Sequence, residues 1–501
     1  MSASSAFFRG TLPGQIVRYI SGNRLFQYPE EKSGFVIPDL SKKKEKEEKK
    51  SEETAGSSGH ETLNEAAGQH QDAGNKKEGD GKDVEKNAEE PLRKEEQPKL
   101  LGAAEMALIA SKSENYIIVD WYSDTDAENP QNWPASAKNT VMFCLYIATF
   151  AIYAGSSIIT LGYGSLIEEF GISEQQATLT LSMYVLAYGV GAMIWSPLSE
   201  IPILGRNIFY WAPIALFVLI QVAAPLTHNF SGLVAVRFFT GFLGSPVLAT
   251  AGASLQDVYN PMYLPIVFSL WALSAFMGPS IGPLVAGVAA QAHDWRWTMW
   301  ELLWLVGFAE ILLILFMPET HGPTILLRRA QRLRKLTGNE KYRSMGELEM
   351  ERLTLSEIMM NAFVRPTQII IQDPQILFSD LYIALIYGAY YLFFAAFPQW
   401  QARLGWDIGI QGVSYVVILI GGIIGCLVYV AYQVTYMPHL YKTKGWPEPE
   451  QRLEPALIGS ILLPIGLFIF GESSTSIAFH CVGLHRSFCS QLGQLSRKLH
   501  G

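Results

Sequence analysis

LPIVFSLWALSAFMGPSIGPLVAGVAA, residues Leu264–Ala290, contains no charged side chain over a length sufficient to cross a bilayer. A transmembrane helix needs about 20 apolar residues. In hydrocarbon every backbone polar group must find a partner within the protein, so a run of this kind is a helix. Comparable runs lie on both sides of it: Thr140–Tyr163, Ala177–Trp195, Ile208–Pro225 and Leu233–Ala253 before, then Thr298–Met317, Ile376–Phe397, Val413–Tyr432 and Pro455–Phe470 after. Nine runs are expected to be spans, the last of them short.

Composition agrees. Charged residues make up 17% of the 501, aromatic residues 12%, and mean hydropathy is +0.17 despite a first hundred residues rich in Lys and Glu. Soluble domains carry about a quarter charged residues. A net charge of −8 gives no basic footprint for nucleic acid. Four cysteines without a CxxC or Cys/His cluster make neither a disulfide scaffold nor a zinc site. No catalytic triad, phosphate-cradling loop or metal-ligand cluster is visible, so no enzyme, metal or cofactor is expected. The fold class is an all-α polytopic membrane protein.

Six zones follow from the charge pattern. Residues 1–98 read as a polar tail, with Phe7–Glu31 as a short amphipathic segment at the membrane surface and Ser41–Gln97 too polar to fold. Residues 99–139 are juxtamembrane, 140–317 a six-helix bundle, and 318–374 a basic connection carrying Arg328, Arg329, Arg332, Arg334 and Arg343. Residues 375–471 supply three more spans. Residues 472–501 read as an atypical tail with no bilayer-length run. Positive charge concentrates in the central connection and is sparse in connections of opposite parity, which places that connection and the N-terminus in the cytoplasm. Six spans, a basic loop and further spans match a two-bundle transporter.

Charges inside spans are costly and mark candidate sites. Arg237, in RFFTGFLGSP, needs a carboxylate, a carbonyl cage or water; it either snorkels to the outer interface or is a charge that tunes a proton-binding group or contacts substrate. Glu310 lies near mid-span and is the better candidate to titrate, though one buried hydrogen bond would explain it equally; Glu301 and Asp380 read as interfacial. The fifth run pairs two GP steps through Gly278, Pro279, Gly282, Pro283 and Gly287, which shapes a helix for close packing or a gate. SPLSEIPILGRN places Glu200 and Arg206 around a short turn. Asn229-Phe230-Ser231 is a glycosylation sequon in a loop expected to be external.

From Trp121 to Gly471 the sequence resembles the major facilitator superfamily, and within it the fungal twelve-span drug:proton antiporters of the fluconazole, benomyl and polyamine resistance type. The resemblance is carried by DWYSDTDAENPQNWP before the first span, and by SPLSEIPILGR with Glu200, Gly205 and Arg206 between spans two and three. Arg237 with Gly241, the GPSIGPLVAG motif, WRWTMWELLW, and PET followed by ILLRRAQRLRKLTG carry it further. It implies a complete N-terminal bundle, part of a C-terminal one, and proton-coupled multidrug efflux of small amphipathic compounds across the plasma membrane. Tyr184, Tyr188, Trp271, Tyr387 and Tyr390 are candidates to line the substrate cavity, although helix packing or lipid contact is the plainer reading of each. Two departures stand out. YYLFFAAFP lacks the acidic residue the family usually has near Ala395. Three spans expected after the ninth are also missing, which raises a truncated, transport-inactive remnant or a sensor as alternatives.

Overall fold

The computed structural model describes residues 3–32, 35, 116–351, 355–403, 405–444 and 454–472. Most of the expected disordered tail, including Ser41–Gln97, lies outside them, as do residues 473–501. Eight helices among the described residues are long and apolar enough to cross a membrane: Ala135–Phe170, Glu174–Ser199, Asn207–Leu226, Phe230–Val258, Leu264–Ala292, Trp295–Phe316, Pro374–Pro398 and Ile408–Leu440. They are the first to eighth spans below. The ninth expected run forms a further apolar helix, Glu454–Glu472, 19 residues long and shorter than the other eight.

Two compact units divide the chain. The larger holds the spans. Its first span is not one rod: helix Ala135–Ser157 gives way to a tight turn at Thr160–Gly162 and resumes at Tyr163. The Ser156 hydroxyl donates to the carbonyl of Tyr153 at 2.7 Å, and that of Thr160 to Ser157 at 2.7 Å. Such local bonds compete with the helical ladder and leave backbone carbonyls at the break in need of donors.

Glycines set how closely the spans approach. A Cβ on Gly278 would stand 2.7 Å from the Phe150 carbonyl oxygen, and one on Gly282 2.9 Å from that of Ala154. The fifth span therefore lies directly against the backbone of the first. Gly241 likewise sits on the backbone of Tyr184, joining the fourth span to the second. Prolines inside spans free carbonyls one turn earlier, and neighbouring spans supply the missing donors. Pro283 frees the carbonyl of Pro279, which accepts from the Ser157 hydroxyl at 2.9 Å. Pro246 frees that of Phe242, which accepts from the indole of Trp195 at 3.1 Å and from Ser245 at 2.7 Å.

The amphipathic N-terminal segment forms helices α1 (Ala3–Gly10) and α2 (Leu12–Ile20). Phe7 packs edge-on against Trp133, with ring centroids 5.4 Å apart, and Arg9 makes a buried ion pair with Glu128 at 2.5 Å. This part of the expected polar tail is folded onto the bundle.

The smaller unit comprises Tyr28–Asp126 and Leu326–Arg352. Strands β1 (Ile117–Val119) and β2 (Tyr342–Ser344) pair in parallel, and Val119, Ala330 and Leu333 form a small core. The connection expected to be a basic loop is largely ordered: helix Gly322–Thr337 runs through it, and its arginines meet carboxylates. Arg329 pairs with Asp126 at 2.8 Å, Arg332 with Glu30 at 2.6 Å, and Arg334 and Arg343 share Glu347. Burial raises the Glu347 carboxyl pKa, but the hydrogen bonds and charges of Arg334 and Arg343 outweigh it and hold the pKa below its ordinary value.

Candidate functional site

Arg237 sits in the middle of the larger unit, completely buried, and does not snorkel. Its Nη2 donates to the carbonyl oxygens of Gly155 at 2.6 Å and Ser156 at 3.3 Å, and its Nε to that of Thr180 at 3.0 Å. Gly155 and Ser156 end the helical part of the first span, so the guanidinium caps the helix break. A cation at a helix C-terminus meets the negative end of its dipole. The ring of Tyr184 lies 4.3 Å from the guanidinium carbon. Of the options the sequence leaves open, a carbonyl cage is the one realised. The buried Nη1 has no hydrogen-bond partner among the described residues.

Beside this cage lies a cavity of about 500 Å³. The first, fifth and seventh spans wall it through Tyr153, Trp271, Phe276, Tyr387, Tyr390 and Tyr391, and the short helix contributes Leu463 and Leu467. Three of the five aromatic residues singled out from sequence, Trp271, Tyr387 and Tyr390, face this space. The other two stand behind it: the Tyr184 hydroxyl donates to the Ile152 carbonyl at 2.8 Å, and Tyr188 bonds Tyr387 at 2.6 Å. Tyr153 and Tyr391 were not singled out. Their neighbours in sequence are equally apolar, so no periodicity marks which face they occupy.

A charged cluster occupies the end of the larger unit where the first span begins. Gly205, at φ +72°, turns the chain so that the Glu319 carboxylate lies beside it; a side chain there would be strained and would clash. Glu319 accepts the backbone N–H groups of Arg206 and His321, both at 3.1 Å, capping the third span. Arg206 forms an ion pair with Asp257 at the end of the fourth span. Glu200, across the turn from Arg206, is exposed at the C-cap of the second span, and the carboxylate that pairs with Arg206 lies 51 residues downstream. Span parity places the ends of spans two and four on the same side, a signal that could have found Asp257.

At the opposite end Arg296 forms an ion pair with Glu169 and donates to the carbonyls of Pro225 and Thr227 at 2.9 and 3.1 Å. It ties together the ends of the first, third and sixth spans. Asn229 is exposed and caps the fourth span, its side-chain oxygen accepting from the Ser231 N–H at 3.1 Å. Glu310 is buried, 6% exposed, and among the described residues neither carboxylate oxygen has a hydrogen-bond partner. Glu301 is half-buried and Asp380 exposed. The glycines of the fifth span divide by partner. Gly278 and Gly282 face the backbone of the first span, whereas Gly287 meets both the Leu161 side chain of the first span and the backbone of the helix Ile408–Ser414 that opens the eighth.

A family profile described as the Major Facilitator Superfamily matches residues 145–492. The match continues beyond Gly471, where the sequence reading ends the resemblance. The chain is 40% identical over 359 residues to the MFS-type transporter pyvG of Aspergillus violaceofuscus, covering 72% of this chain and 66% of that one. It is 34% identical over 479 residues to a cycloheximide resistance protein of Candida maltosa, covering 94% and 80%. It is 38% identical over 357 residues to fluconazole resistance protein 1 of Saccharomyces cerevisiae, covering 70% and 64%. The chain thus spans just under two thirds of the length of the first and third of these relatives.

Proposed function

The chain belongs to the Major Facilitator Superfamily, and from that premise we propose that it exports small amphipathic organic compounds in exchange for protons. The observation that carries this reading is the aromatic cavity of about 500 Å³ beside the buried Arg237. Ligand sites are concave, mostly apolar, and furnished with a few placed polar groups. Here the walls supply rings for an amphipathic molecule and hydroxyls for its polar atoms.

In this reading residues 140–317 form the N-terminal bundle and 375–471 part of the C-terminal one. The two rock about the cavity to expose it alternately to each side. The N-terminus and the Arg206–Asp257–Glu319 cluster face the cytoplasm of a fungal cell, and the membrane is the plasma membrane. Gly287, where the fifth span meets the helix that opens the eighth, is a point about which the bundles turn. Glu310 is the carboxyl that takes up and releases the proton, since its oxygens are buried without partners among the described residues. Arg237 holds the break in the first span and supplies the fixed positive charge of the site. Exchange requires proton and substrate to favour different states.

Expression in a yeast strain lacking its own efflux pumps tests the reading. Cells making the protein should accumulate less labelled cycloheximide or fluconazole than control cells. Equal accumulation with the protein verified at the cell surface would remove export of these compounds from the proposal.

A further inference from the structure

Four hydroxyls form a continuous chain from the cavity wall to the first span. Tyr387 bonds Tyr188 at 2.6 Å, Tyr188 donates to Tyr391 at 3.1 Å, Tyr391 bonds Ser156 at 3.0 Å, and Ser156 donates to the carbonyl oxygen of Tyr153 at 2.7 Å. A carbonyl only accepts, and each hydroxyl has one proton to give. The final bond therefore fixes the direction of the others: Tyr387 donates to Tyr188, Tyr188 to Tyr391, and Tyr391 to Ser156. The Ser156 carbonyl in turn accepts from Arg237.

Two other polar donors of the wall are also committed. Tyr390 donates to the Phe276 carbonyl at 3.2 Å and the Trp271 indole to Thr149 at 3.0 Å. Among the described residues no charged side chain lines the cavity. An uncharged ligand bearing a carbonyl can therefore gain a hydrogen bond from Tyr387 only by drawing its proton away from Tyr188. The trade is close to even in energy, one bond for another. Its structural effect is local: Tyr387 belongs to the seventh span and Tyr188 to the second, so the exchange removes one of the two hydroxyl bonds between these spans and leaves that of Tyr188 to Tyr391.

Resting on the export reading above, we propose that this hydroxyl chain recognises uncharged, carbonyl-bearing aromatic substrates, and that their binding breaks the Tyr387–Tyr188 tie while the Tyr188–Tyr391 bond holds. Tyr387 is the contact residue; Tyr188 is a positioning residue that holds its proton. A ligand of the same shape without an acceptor fills the cavity and leaves the tie closed.

The test uses the purified full chain in detergent and two labelled probes of one scaffold, benzophenone and diphenylmethane, which differ in a carbonyl oxygen. Tyr188→Phe keeps the ring and frees the Tyr387 proton. It should tighten benzophenone binding about fivefold, the worth of one hydrogen bond, and leave diphenylmethane unchanged. Tyr387→Phe should bring benzophenone down to the affinity of diphenylmethane. A general packing role for either tyrosine would shift both probes together. Binding of both probes with a ratio unmoved by either substitution overturns this inference alone. Failure of the wild-type protein to bind either probe overturns the cavity reading beneath it as well.

Discussion

Gly287 and Gly412 meet backbone to backbone: a Cβ on Gly287 would stand 3.1 Å from the Cα of Gly412, and one on Gly412 3.3 Å from the Cα of Gly287. Neither position has room for a side chain, so the fifth span and the helix that opens the eighth touch without an intervening layer. Gly282 is equally confined, but by the first span alone. Gly287→Val and Gly282→Val should each overpack their contact and cost about 1–3 kcal/mol of stability. Gly287→Val should in addition slow substrate transport in vesicles at least severalfold more than Gly282→Val does. Transport and thermal unfolding of both variants check this, and equal losses of transport would contradict a separate role for Gly287.

Removing Arg237 leaves the carbonyls of Gly155 and Ser156 without their guanidinium donor at a buried helix break. Each unsatisfied buried group costs about 1–3 kcal/mol. Arg237→Ala is expected to abolish efflux while the protein still inserts. Arg237→Lys keeps the charge but presents one compact ammonium in place of the planar fork. It should transport about tenfold more slowly than wild type, the equivalent of one charged hydrogen bond. Normal efflux by either variant, correctly localised, would contradict the role given to the cage.

The Arg206–Asp257 pair joins the loop before the third span to the end of the fourth. A double-mutant cycle with Arg206→Ala and Asp257→Ala should show a coupling of about 1–2 kcal/mol in thermal or denaturant unfolding. Additive losses would mean the two charges act independently.

His321 gives the same end of the molecule a pH signature. Burial, and next the charge of Arg206, lower its pKa from the ordinary 6.5 to about 4. Its Nδ1 bonds the Thr324 hydroxyl at 2.8 Å, and its backbone N–H donates to Glu319. The unfolded chain takes up a proton below about pH 6.5, whereas the folded one resists until about pH 4. This contribution is therefore complete above pH 6.5 and is lost as pH falls towards 4. Melting temperatures between pH 7.5 and 4.5 should fall less steeply in His321→Gln than in wild type; identical slopes would contradict it.

The spans were readable because apolar length alone decides membrane crossing, and Leu264–Ala292 needed no further information. The break in the first span was not, since Ile158 and Ile159 continue the apolar run while the hydroxyls of Ser156 and Thr160 rearrange the backbone. Arg237 announced itself as a charge where none is cheap, but its partners are carbonyls, which carry no residue signature. The partner of Arg206, Asp257, was not legible, because a loop hides which distant helix end lies beneath it. Within the cavity Trp271, Tyr387 and Tyr390 were legible as aromatic residues in spans. Tyr153 and Tyr391 were not, because helices apolar on every side give no phase from which to choose a face.

The central claim, proton-driven export, is tested most directly in proteoliposomes holding the purified chain with the interior made acidic. Labelled cycloheximide should accumulate inside as protons leave, collapse of the gradient by nigericin should release it, and Glu310→Gln should bind the compound without accumulating it. Uptake by folded wild-type protein that is the same with and without the gradient would contradict the account.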